Sequence, residues 1–270
     1  MSLKNLCDIH THTLFSRHAY STIYENVREA TAQGLEVLGS TDHFSSMLFH
    51  DVEEGKNYQY LSSQRDWQRD WLGITVLRGV EADIVDLDGN LFGDDIVLET
   101  GITGEMYPDG RKTLYRWVTR RLDYVIASIH GKSFTKGRSC SELTSMYIKA
   151  LSRPEVLMLG HVGRTGLEID TDEILKAAKA MHKLVEINEH SFAFPDDEIM
   201  SRCRKIAERC AQMEVKIAVT TDAHNCLQIG RVGGALEMLE EIHFPQELIA
   251  TTDRQSLLAA VEEAVPSFRL

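Results

Sequence analysis

Seven short apolar segments, most of them separated by helix-like stretches, constrain the fold of this chain more than any other feature. They run over residues 6–9, 36–40, 74–80, 124–128, 156–159, 184–187 and 216–220. Strands that alternate with helices form βαβ units and therefore a parallel sheet. No Gly-x-Gly-x-x-Gly follows the first segment, which argues against a dinucleotide-binding sheet. Seven such units predict an α/β fold, a distorted (β/α)7 barrel that resembles a TIM barrel.

Local signals mark where the predicted helices begin and end. Thr22 with Glu25, and Ser139 with Glu142, have the spacing of capping boxes. Gly34 is a helix stop signal. The predicted helices cover residues 22–34, 113–121, 139–151, 171–182, 195–213, 232–242 and 253–265.

Two segments fall outside the alternation of strands and helices. Residues 60–72 are amphipathic and predict a surface helix. Residues 88–112 begin with the turn signal Asp88-Gly89 and are rich in Gly, Asp and Thr. We interpret them as an inserted loop or a lid, rather than as a second domain. Residues 1–270 are therefore predicted to form a single domain with an insertion at about 88–112.

Composition and charge narrow the class of protein. Of the 270 residues, 26% are charged and 43% are hydrophobic, as in soluble globular proteins. No apolar run approaches the ~18 residues that span a bilayer, and no secretory signal opens the chain. Five scattered cysteines favour reduced thiols and a cytoplasmic protein. The net charge of -12 argues against nucleic-acid binding but allows a small anionic substrate at metal ions. Nothing in the sequence predicts the oligomeric state.

Histidines and carboxylates recur where the predicted strands end. His10 and His12 are two residues apart, so both imidazoles face one side of an extended strand. Each histidine taken alone is more typical of a core or surface residue. The carboxyl ends of barrel strands meet at one face, however, so the repetition there predicts a shared site. The residues at these strand ends are His10, His12, His43, Glu81, His130, His161, Asn188, His190, Asp222 and His224.

Nine positions, eight of these and His18 from the first loop, are candidate metal ligands. They are His10, His12, His18, His43, Glu81, His130, His161, Asp222 and His224. Imidazole and carboxylate ligands suit zinc, manganese or iron. One metal ion takes about four protein ligands, and a catalytic ion takes fewer. Nine ligands therefore suit two or three ions with a bridging carboxylate.

The motifs around these residues resemble those of the polymerase and histidinol phosphatase (PHP) superfamily. The resemblance covers nearly the whole chain and is strongest to stand-alone bacterial PHP phosphatases, which have a trinuclear site in a seven-stranded β/α barrel. The segment Val185-Glu186-Ile187-Asn188 also resembles a family element. The matching motifs are His10-Thr11-His12, His18-Ala19-Tyr20-Ser21, Thr41-Asp42-His43, Gly79-Val80-Glu81, Ser128-Ile129-His130, Gly160-His161 and Thr221-Asp222-Ala223-His224.

The resemblance implies three divalent metal ions with defined ligands. The implied first set is His10, His12, Glu81 and Asp222. The implied second set shares Glu81 and adds His130 and His161. The implied third set is His18, His43 and His224. A small phosphate monoester would then be hydrolysed by a metal-bridging hydroxide, with the ions neutralising the phosphoryl oxygens.

Other polar residues near the motifs are candidates for catalysis or substrate binding. Asp222 is a candidate for orienting the nucleophile, and His190 for protonating the leaving group. The candidates for substrate contact are Arg17, Lys132, Arg164 and Asn188. Each of the three cations is equally well explained as a solvated charge.

Two aspartates next to the ligand motifs have two possible roles. Asp8 and Asp42 either orient ligand histidines or satisfy backbone groups at strand ends.

Several functions share these sequence features. A histidinol-phosphate phosphatase has the same chemistry and a different substrate. A phosphodiesterase or 3′–5′ exonuclease-like activity belongs to the same superfamily, although the acidic charge disfavours it. Barrels with His-x-His also include amidohydrolases, which act on C–N bonds. A catalytically idle metal-binding domain is the alternative that is not an enzyme.

Overall fold

Parallel strands dominate the computed structural model, which describes residues 2–107, 112–193 and 196–270. The strands are β1 (Cys7–Asp8), β2 (Val37–Ser40), β3 (His43–Phe44), β4 (Asp70–Trp71), β5 (Ile74–Asp83), β6 (Val97–Leu98), β7 (Lys112–Thr113), β8 (Tyr124–Ser128), β9 (Val156–Leu159), β10 (Leu184–Asn188) and β11 (Ile217–Thr220). The helices are α1 (Ile23–Ala32), α2 (Gln59–Ser63), α3 (Leu114–Thr119), α4 (Cys140–Leu151), α5 (Val162–Thr165), α6 (Thr171–Ala180), α7 (His190–Ala193), α8 (Asp197–Met213), α9 (Gly233–Glu241) and α10 (Arg254–Ala264).

The main sheet closes almost completely into a barrel. Its strands are ordered β1-β2-β5-β8-β9-β10-β11, and each neighbouring pair is parallel. A parallel bridge between Thr11 and Ala223 links the first strand region to the last. The backbone N–H of His12 donates to the carbonyl of Ala223 at 2.9 Å. The seven predicted strands and the distorted (β/α)7 barrel are therefore confirmed.

A tyrosine fills the inside of the barrel. The Tyr124 hydroxyl donates to the Ile9 carbonyl across the interior, at 2.7 Å. Gly39 makes room for it, because a Cβ at this position would lie 2.0 Å from the Tyr124 hydroxyl and 2.9 Å from Cα of Ile9. The interior is thus a packed core and not a pore, as in TIM barrels.

Helix α10 packs across the amino-terminal end of the strands. Its buried Leu257 and Val261 belong to the same apolar cluster as Val37 and Leu184. The ammonium group of the buried Lys183 donates to the carbonyls of Arg153 at 3.2 Å, Val156 at 2.5 Å and Ala264 at 2.6 Å. Lys183 thereby joins β9, the start of β10 and the end of α10. Burial lowers the pKa of Lys183 to about 8.

The predicted helix over residues 60–72 is wrong in its second half. Helix α2 ends at Ser63, and β4 then pairs with β5 in an antiparallel hairpin. Leu72 and Gly73 both have positive φ, 56° and 83°. Such a pair suits a two-residue hairpin turn, whose twist matches that of the flanking strands. Gly73 therefore makes a hairpin turn rather than ending a helix.

The predicted insertion packs against the barrel over much of its length. The chain reverses after β5, where the Val85 N–H donates to the Asn90 carbonyl at 2.9 Å. Leu91 and Leu98 are buried in the main core, and β6 pairs with β7. Residues 108–111 of this segment lie outside the described residues, as does Pro195 at the predicted start of α8. Within the described ranges, no helix combines the length and the apolar character needed to cross a membrane.

Candidate metal centre

The predicted ligands converge around the carboxyl ends of the barrel strands. Their side chains form groups in which the ligand atoms all lie within 4.8 Å of one another. These groups are His10 with His12, Glu81 and Asp222; His43 with Glu81 and His130; and His12 with His43 and His224.

One carboxylate oxygen of Glu81 faces three imidazoles. Oε2 lies 2.8 Å from Nδ1 of His43, which is its neighbour in the β3–β5 pairing. The same oxygen lies 3.4 Å from Nε2 of His10 and 3.6 Å from Nε2 of His12. Glu81 is fully buried, so its charge requires these partners or a cation.

The other oxygen of Glu81 faces the opposite side of the centre. Oε1 lies 2.6 Å from Nε2 of His161 and 3.6 Å from Nε2 of His130. The Ser128 hydroxyl donates to Oε1 at 2.6 Å and fixes the carboxylate plane. A single side chain thus joins two sets of imidazoles, as a bridging ligand does.

His18 completes a separate group of three histidines. Its Nε2 lies 3.2 Å from Nε2 of His43 and 3.0 Å from Nε2 of His224. Nδ1 of His224 donates to the backbone carbonyl of Asp222 at 2.9 Å. That bond leaves a lone pair on Nε2 of His224, which faces the other two rings. Three converging imidazole nitrogens form a donor set that suits zinc, copper, iron or nickel.

Buried polar atoms at this centre make no hydrogen bonds within the described part of the chain. They are Nε2 of His10, Nδ1 of His43 and Oε2 of Glu81, because the 2.8 Å approach of His43 to Glu81 lacks hydrogen-bond geometry. Buried polar groups in native proteins are nearly always satisfied, because each unsatisfied one costs about 1–3 kcal/mol. The three atoms point toward one another, so a divalent cation among them would satisfy all three. The residues therefore fit bound metal ions.

Both central carboxylates are ionised. Burial opposes ionisation of Glu81 and Asp222, but the neighbouring imidazoles outweigh it and hold both pKa values well below the usual range. A fixed negative charge of this kind attracts divalent cations. Burial also opposes protonation of His10, but Glu186 and the two central carboxylates raise its pKa well above the usual value. Metal binding at Nε2 of His10 would displace any proton held there.

Other imidazoles of the centre are held in the neutral form that binds metal. Burial lowers the pKa of His224 to about 4. Burial and the neighbouring His43 lower the pKa of His12 well below its usual value. These two residues are therefore neutral at pH 7 without any partner having to remove a proton.

Backbone conformation at the centre is strained. His161 has a φ of 30° and Asp222 a φ of 56°, both in the left-handed region. Such conformations cost non-glycine residues about 1–3 kcal/mol each and persist where the surroundings impose them. Here they aim the two ligand side chains into the barrel mouth.

An open cleft of about 340 Å³ leads to the histidines. It is lined by His18, His43, Met47, His130, Arg164, His190, Asp222 and His224. Arg164 donates to Oδ2 of Asp222 at 2.8 Å, so its guanidinium lies beside the carboxylate and the opening. His190 lies on the cleft wall, and burial lowers its pKa. The predicted Asp222, His190 and Arg164 are therefore brought together.

The remaining substrate-contact candidates have hydrogen-bond partners outside the cleft or next to it in the chain. The Arg17 guanidinium donates to the Leu48 carbonyl at 2.9 Å and lies over the Phe49 ring. The Lys132 ammonium donates to the Thr165 carbonyl at 2.6 Å. Asn188 is buried and its side-chain oxygen accepts from the His190 N–H at 2.9 Å. None of these three residues lines the cleft in the part of the chain that the structure describes.

A family model decides where this chain belongs. Residues 8–193 match the model of the PHP domain. The chain belongs to the PHP domain family. The matched range includes seven of the nine candidate ligands, and Asp222 and His224 lie beyond it. For those two residues the evidence is the geometry of the centre.

Relatives of this PHP chain extend over nearly its full length. A protein of Clostridium botulinum named "Probable phosphatase" is 37% identical over 256 residues, covering 95% of this chain and 94% of its own. A "Probable phosphatase" of Caldanaerobacter subterraneus is 33% identical over 263 residues, covering 97% and 93%. The crystal structure of histidinol phosphate phosphatase from Lactococcus lactis, complexed with zinc, L-histidinol and phosphate, aligns with a TM-score of 0.54. At 18% identity, over 90% of this chain and 95% of that one, it shares the fold.

Two carboxylates that orient candidate ligands of this PHP centre were missed from sequence. Glu186 accepts from Nδ1 of His10 at 2.6 Å, and Asp83 accepts from Nδ1 of His130 at 2.5 Å. Each bond leaves Nε2 of the ring to face Glu81. Strand periodicity was the available signal, because Asp83 follows Glu81 by two residues and so faces the same side of β5.

The two aspartates considered from sequence have different contacts. Asp42 accepts from the Ser16 hydroxyl at 2.7 Å, and Ser16 in turn contacts Nδ1 of His12 at 3.0 Å. Asp8 accepts from the backbone N–H groups of Thr221 and Gly230, both at 3.1 Å. Asp42 therefore reaches a ligand histidine through a serine, whereas Asp8 satisfies backbone groups.

Proposed function

We propose that this PHP-family chain hydrolyses a small phosphate monoester at a centre of three divalent ions, with zinc, manganese or iron as the metal. The chain is a metal-dependent phosphatase by class, in keeping with relatives of near-equal length that carry that name. The observation that carries the finer proposal is the set of overlapping ligand groups around Glu81.

The proposed ligands of each ion are the sets that the PHP resemblance implies, and contacts between their side chains support them. His10, His12, Glu81 and Asp222 would hold the first ion. Glu81, His130 and His161 would hold the second, and His18, His43 and His224 the third. His43 lies between the second and third groups, since its Nδ1 faces Glu81 and its Nε2 faces His18.

In the proposed reaction the ions and the side chains have different roles. Bound divalent ions supply Lewis acidity, which makes hydroxide available at neutral pH and neutralises phosphoryl oxygens. Asp222 has one oxygen 3.0 Å from His12 and the other bonded to Arg164. It is thus fixed at both oxygens and can orient the attacking water.

Arg164 is the proposed phosphate-binding residue of the chain itself. Its guanidinium lies in the cleft wall, and an arriving phosphate offers it the same geometry as the Asp222 carboxylate. A guanidinium has five N–H donors, so Arg164 could bind the phosphate next to the centre while it keeps its bond to Asp222.

His190 is the proposed proton donor to the leaving oxygen. It lies on the same cleft wall as Arg164 and Asp222. Its lowered pKa makes it neutral at pH 7, so it would donate after a bound phosphate dianion has raised that pKa.

The proposed substrate is a small molecule in the cytoplasm. The cleft is small and is lined by eight residues. The net charge of -12 disfavours binding of a nucleic acid. The cysteines are unpaired, in keeping with a reducing compartment.

The decisive experiment measures inorganic phosphate released by the purified, metal-loaded protein from a panel of phosphate esters. The panel contains histidinol phosphate, sugar phosphates, nucleotides and the diester bis(p-nitrophenyl) phosphate. We expect selective release from one monoester, and none after the metal is removed with a chelator. Hydrolysis of the diester in preference to every monoester would replace the proposal by a phosphodiesterase. No release from any ester by a fully loaded protein would contradict it.

A further inference from the structure

Glu186 contacts two candidate metal ligands with its two oxygens. The residue belongs to β10 and is 4% exposed. Its Oε1 accepts from Nδ1 of His10 and from the Thr220 hydroxyl, both at 2.6 Å. Its Oε2 accepts from the backbone N–H of His161 at 2.5 Å. The carboxylate therefore connects β10 with β11, with the end of β1 and with the end of β9.

The contact with His10 selects which ring nitrogen is available to an ion. A carboxylate only accepts, so Nδ1 of His10 carries the hydrogen of this bond. The opposite nitrogen, Nε2, lies 3.4 Å from Oε2 of Glu81 and 3.6 Å from Oδ1 of Asp222. The nitrogen that faces the proposed first ion is thus the one that Glu186 leaves free.

The contact with His161 supports a strained backbone. His161 adopts the left-handed conformation, with φ 30° and ψ 43°, at the start of α5. Its Nε2 lies 2.6 Å from Oε1 of Glu81, on the side of the proposed second ion. A charge-assisted bond to the His161 N–H offsets part of the cost of that conformation.

We infer that Glu186 is a positioning residue for two metal sites at once: it fixes the His10 tautomer for the first ion and the His161 backbone for the second. This inference rests on the metal centre of the proposed function. The histidines of the third group make no contact with Glu186 among the described hydrogen bonds, so the third ion does not depend on it.

Glutamine cannot replace Glu186, because its side chain has only one hydrogen-bond acceptor oxygen where two are needed. Both oxygens of Glu186 face N–H donors that cannot turn away, at His10 and at His161. An amide has a single oxygen, so in either orientation of the introduced side chain one of these N–H groups would face its NH₂ group. If it is His10, the ring avoids the clash by moving its hydrogen to Nε2, which can then no longer bind metal.

Asp83 provides a matched comparison with a smaller expected loss. It accepts from Nδ1 of His130 at 2.5 Å and from the Ser45 hydroxyl at 2.6 Å. A hydroxyl can rotate to accept from an amide, so Asp83→Asn keeps both contacts. Each substitution removes one negative charge, and the two sites differ in whether the donors can adapt.

The test is zinc binding, measured by competition with a chromophoric chelator and by metal content after dialysis, without substrate. We expect Glu186→Gln to weaken the binding of at least one ion by about 10–100-fold, as loss of such partners does. Asp83→Asn should lose less zinc affinity than Glu186→Gln, because both of its contacts are kept. Equal zinc affinity and content in Glu186→Gln and the unsubstituted protein would overturn the inference, as would equal losses in the two variants.

A second measurement decides the matter should Glu186→Gln fail to fold, as judged by far-ultraviolet circular dichroism. Nitrogen-15 spectra of histidine in the unsubstituted, zinc-loaded protein report the tautomer of His10 directly. Hydrogen on Nδ1 and zinc on Nε2 support the inference, and the reverse overturns it. Because neither experiment uses a phosphate ester, zinc binding without phosphatase activity would contradict the proposed function and leave this inference standing.

Discussion

The two ends of the barrel differ in whether their buried polar groups have hydrogen-bond partners. At the carboxyl end, Nε2 of His10 and Oε2 of Glu81 are buried without a hydrogen bond among the described residues. At the amino end, the buried Lys183 ammonium donates to three carbonyls. Since unsatisfied buried groups cost stability, the first arrangement fits a bound cation, whereas the second is satisfied by the fold itself. The contrast locates function at one end and stability at the other.

The contrast predicts, first, a change at the carboxyl end that removes activity and keeps the fold. Asp222→Ala deletes a carboxylate that lies 3.0 Å from His12 and bonds to Arg164. We expect kcat/KM for phosphate release to fall by about 10³-fold or more, the scale of losing a preorganised electrostatic group. Steady-state kinetics on the metal-loaded protein measure the activity, and circular dichroism shows whether the fold is kept. Near-normal turnover by metal-loaded Asp222→Ala would end the role proposed for this residue.

The reciprocal change at the amino end should remove stability and keep activity. Lys183→Met has similar length but removes the ammonium donor from the carbonyls of Arg153, Val156 and Ala264, of which the Arg153 carbonyl still accepts from the Val156 N–H at 3.2 Å. We expect the free energy of unfolding to fall by about 2–4 kcal/mol, at about 1–3 kcal/mol per unsatisfied group with partial relaxation. Urea denaturation measures it, with kcat/KM and metal content as controls that stay unchanged. A loss of activity in the folded variant would break the contrast between the two ends.

A comparison of two basic residues, Arg164 and Lys132, tests how far the substrate-binding site extends. Arg164 lines the cleft, whereas the Lys132 ammonium is bonded to the Thr165 carbonyl. We expect Arg164→Ala to lower kcat/KM by about 10–10²-fold, since a hydrogen bond to a charged group contributes about 1.5–3 kcal/mol. Lys132→Ala should remain within about 3-fold. Similar losses in the two variants, assayed on the same ester, would show that the substrate extends beyond the cleft.

The smallest predicted effect is a pH dependence confined to the amino end. Burial lowers the pKa of Lys183 to about 8 from an ordinary 10.5. Between these values the unfolded chain binds a proton that the folded chain has released, so folding stability from this group rises with pH. The difference in unfolding free energy between the unsubstituted protein and Lys183→Met should therefore grow by about 1 kcal/mol from pH 7 to pH 9. Urea titrations of both proteins at each pH measure it, and a difference that stays flat or shrinks would refute the assignment.

The parts of the fold that local sequence determines were predicted closely. Strands over 124–128 and 156–159 and the cap of α4 at Ser139 agree with the structure. Apolar runs and capping boxes are complete within a few residues, so no distant partner is needed to recognise them. The β4–β5 hairpin was missed because Trp67 and Trp71 have helical spacing, and only pairing with β5 makes Trp71 part of a strand.

At the candidate site, too, local features could be predicted from the sequence and long-range contacts could not. Ligand types and their strand-end positions were visible in the sequence, and the structure brings those side chains together. Glu186 was missed as a partner of His10 because 176 residues separate them and the barrel closure brings them into contact. Arg17 and Lys132 were predicted near substrate, yet carbonyls of distant residues hold both. Side-chain direction depends on such tertiary partners, which no local pattern records.

Because the first and last strands meet at the candidate site, residues that contact each other there are synthesised at very different times. His12 and Asp222 face each other at 3.0 Å but are 210 residues apart in the chain. At roughly 5–20 residues per second, the ribosome makes the second about 10–40 s after the first. Helix α10, which follows every candidate ligand, emerges later still. The full ligand set of the first proposed ion is therefore present only after more than four fifths of the 270 residues have been made.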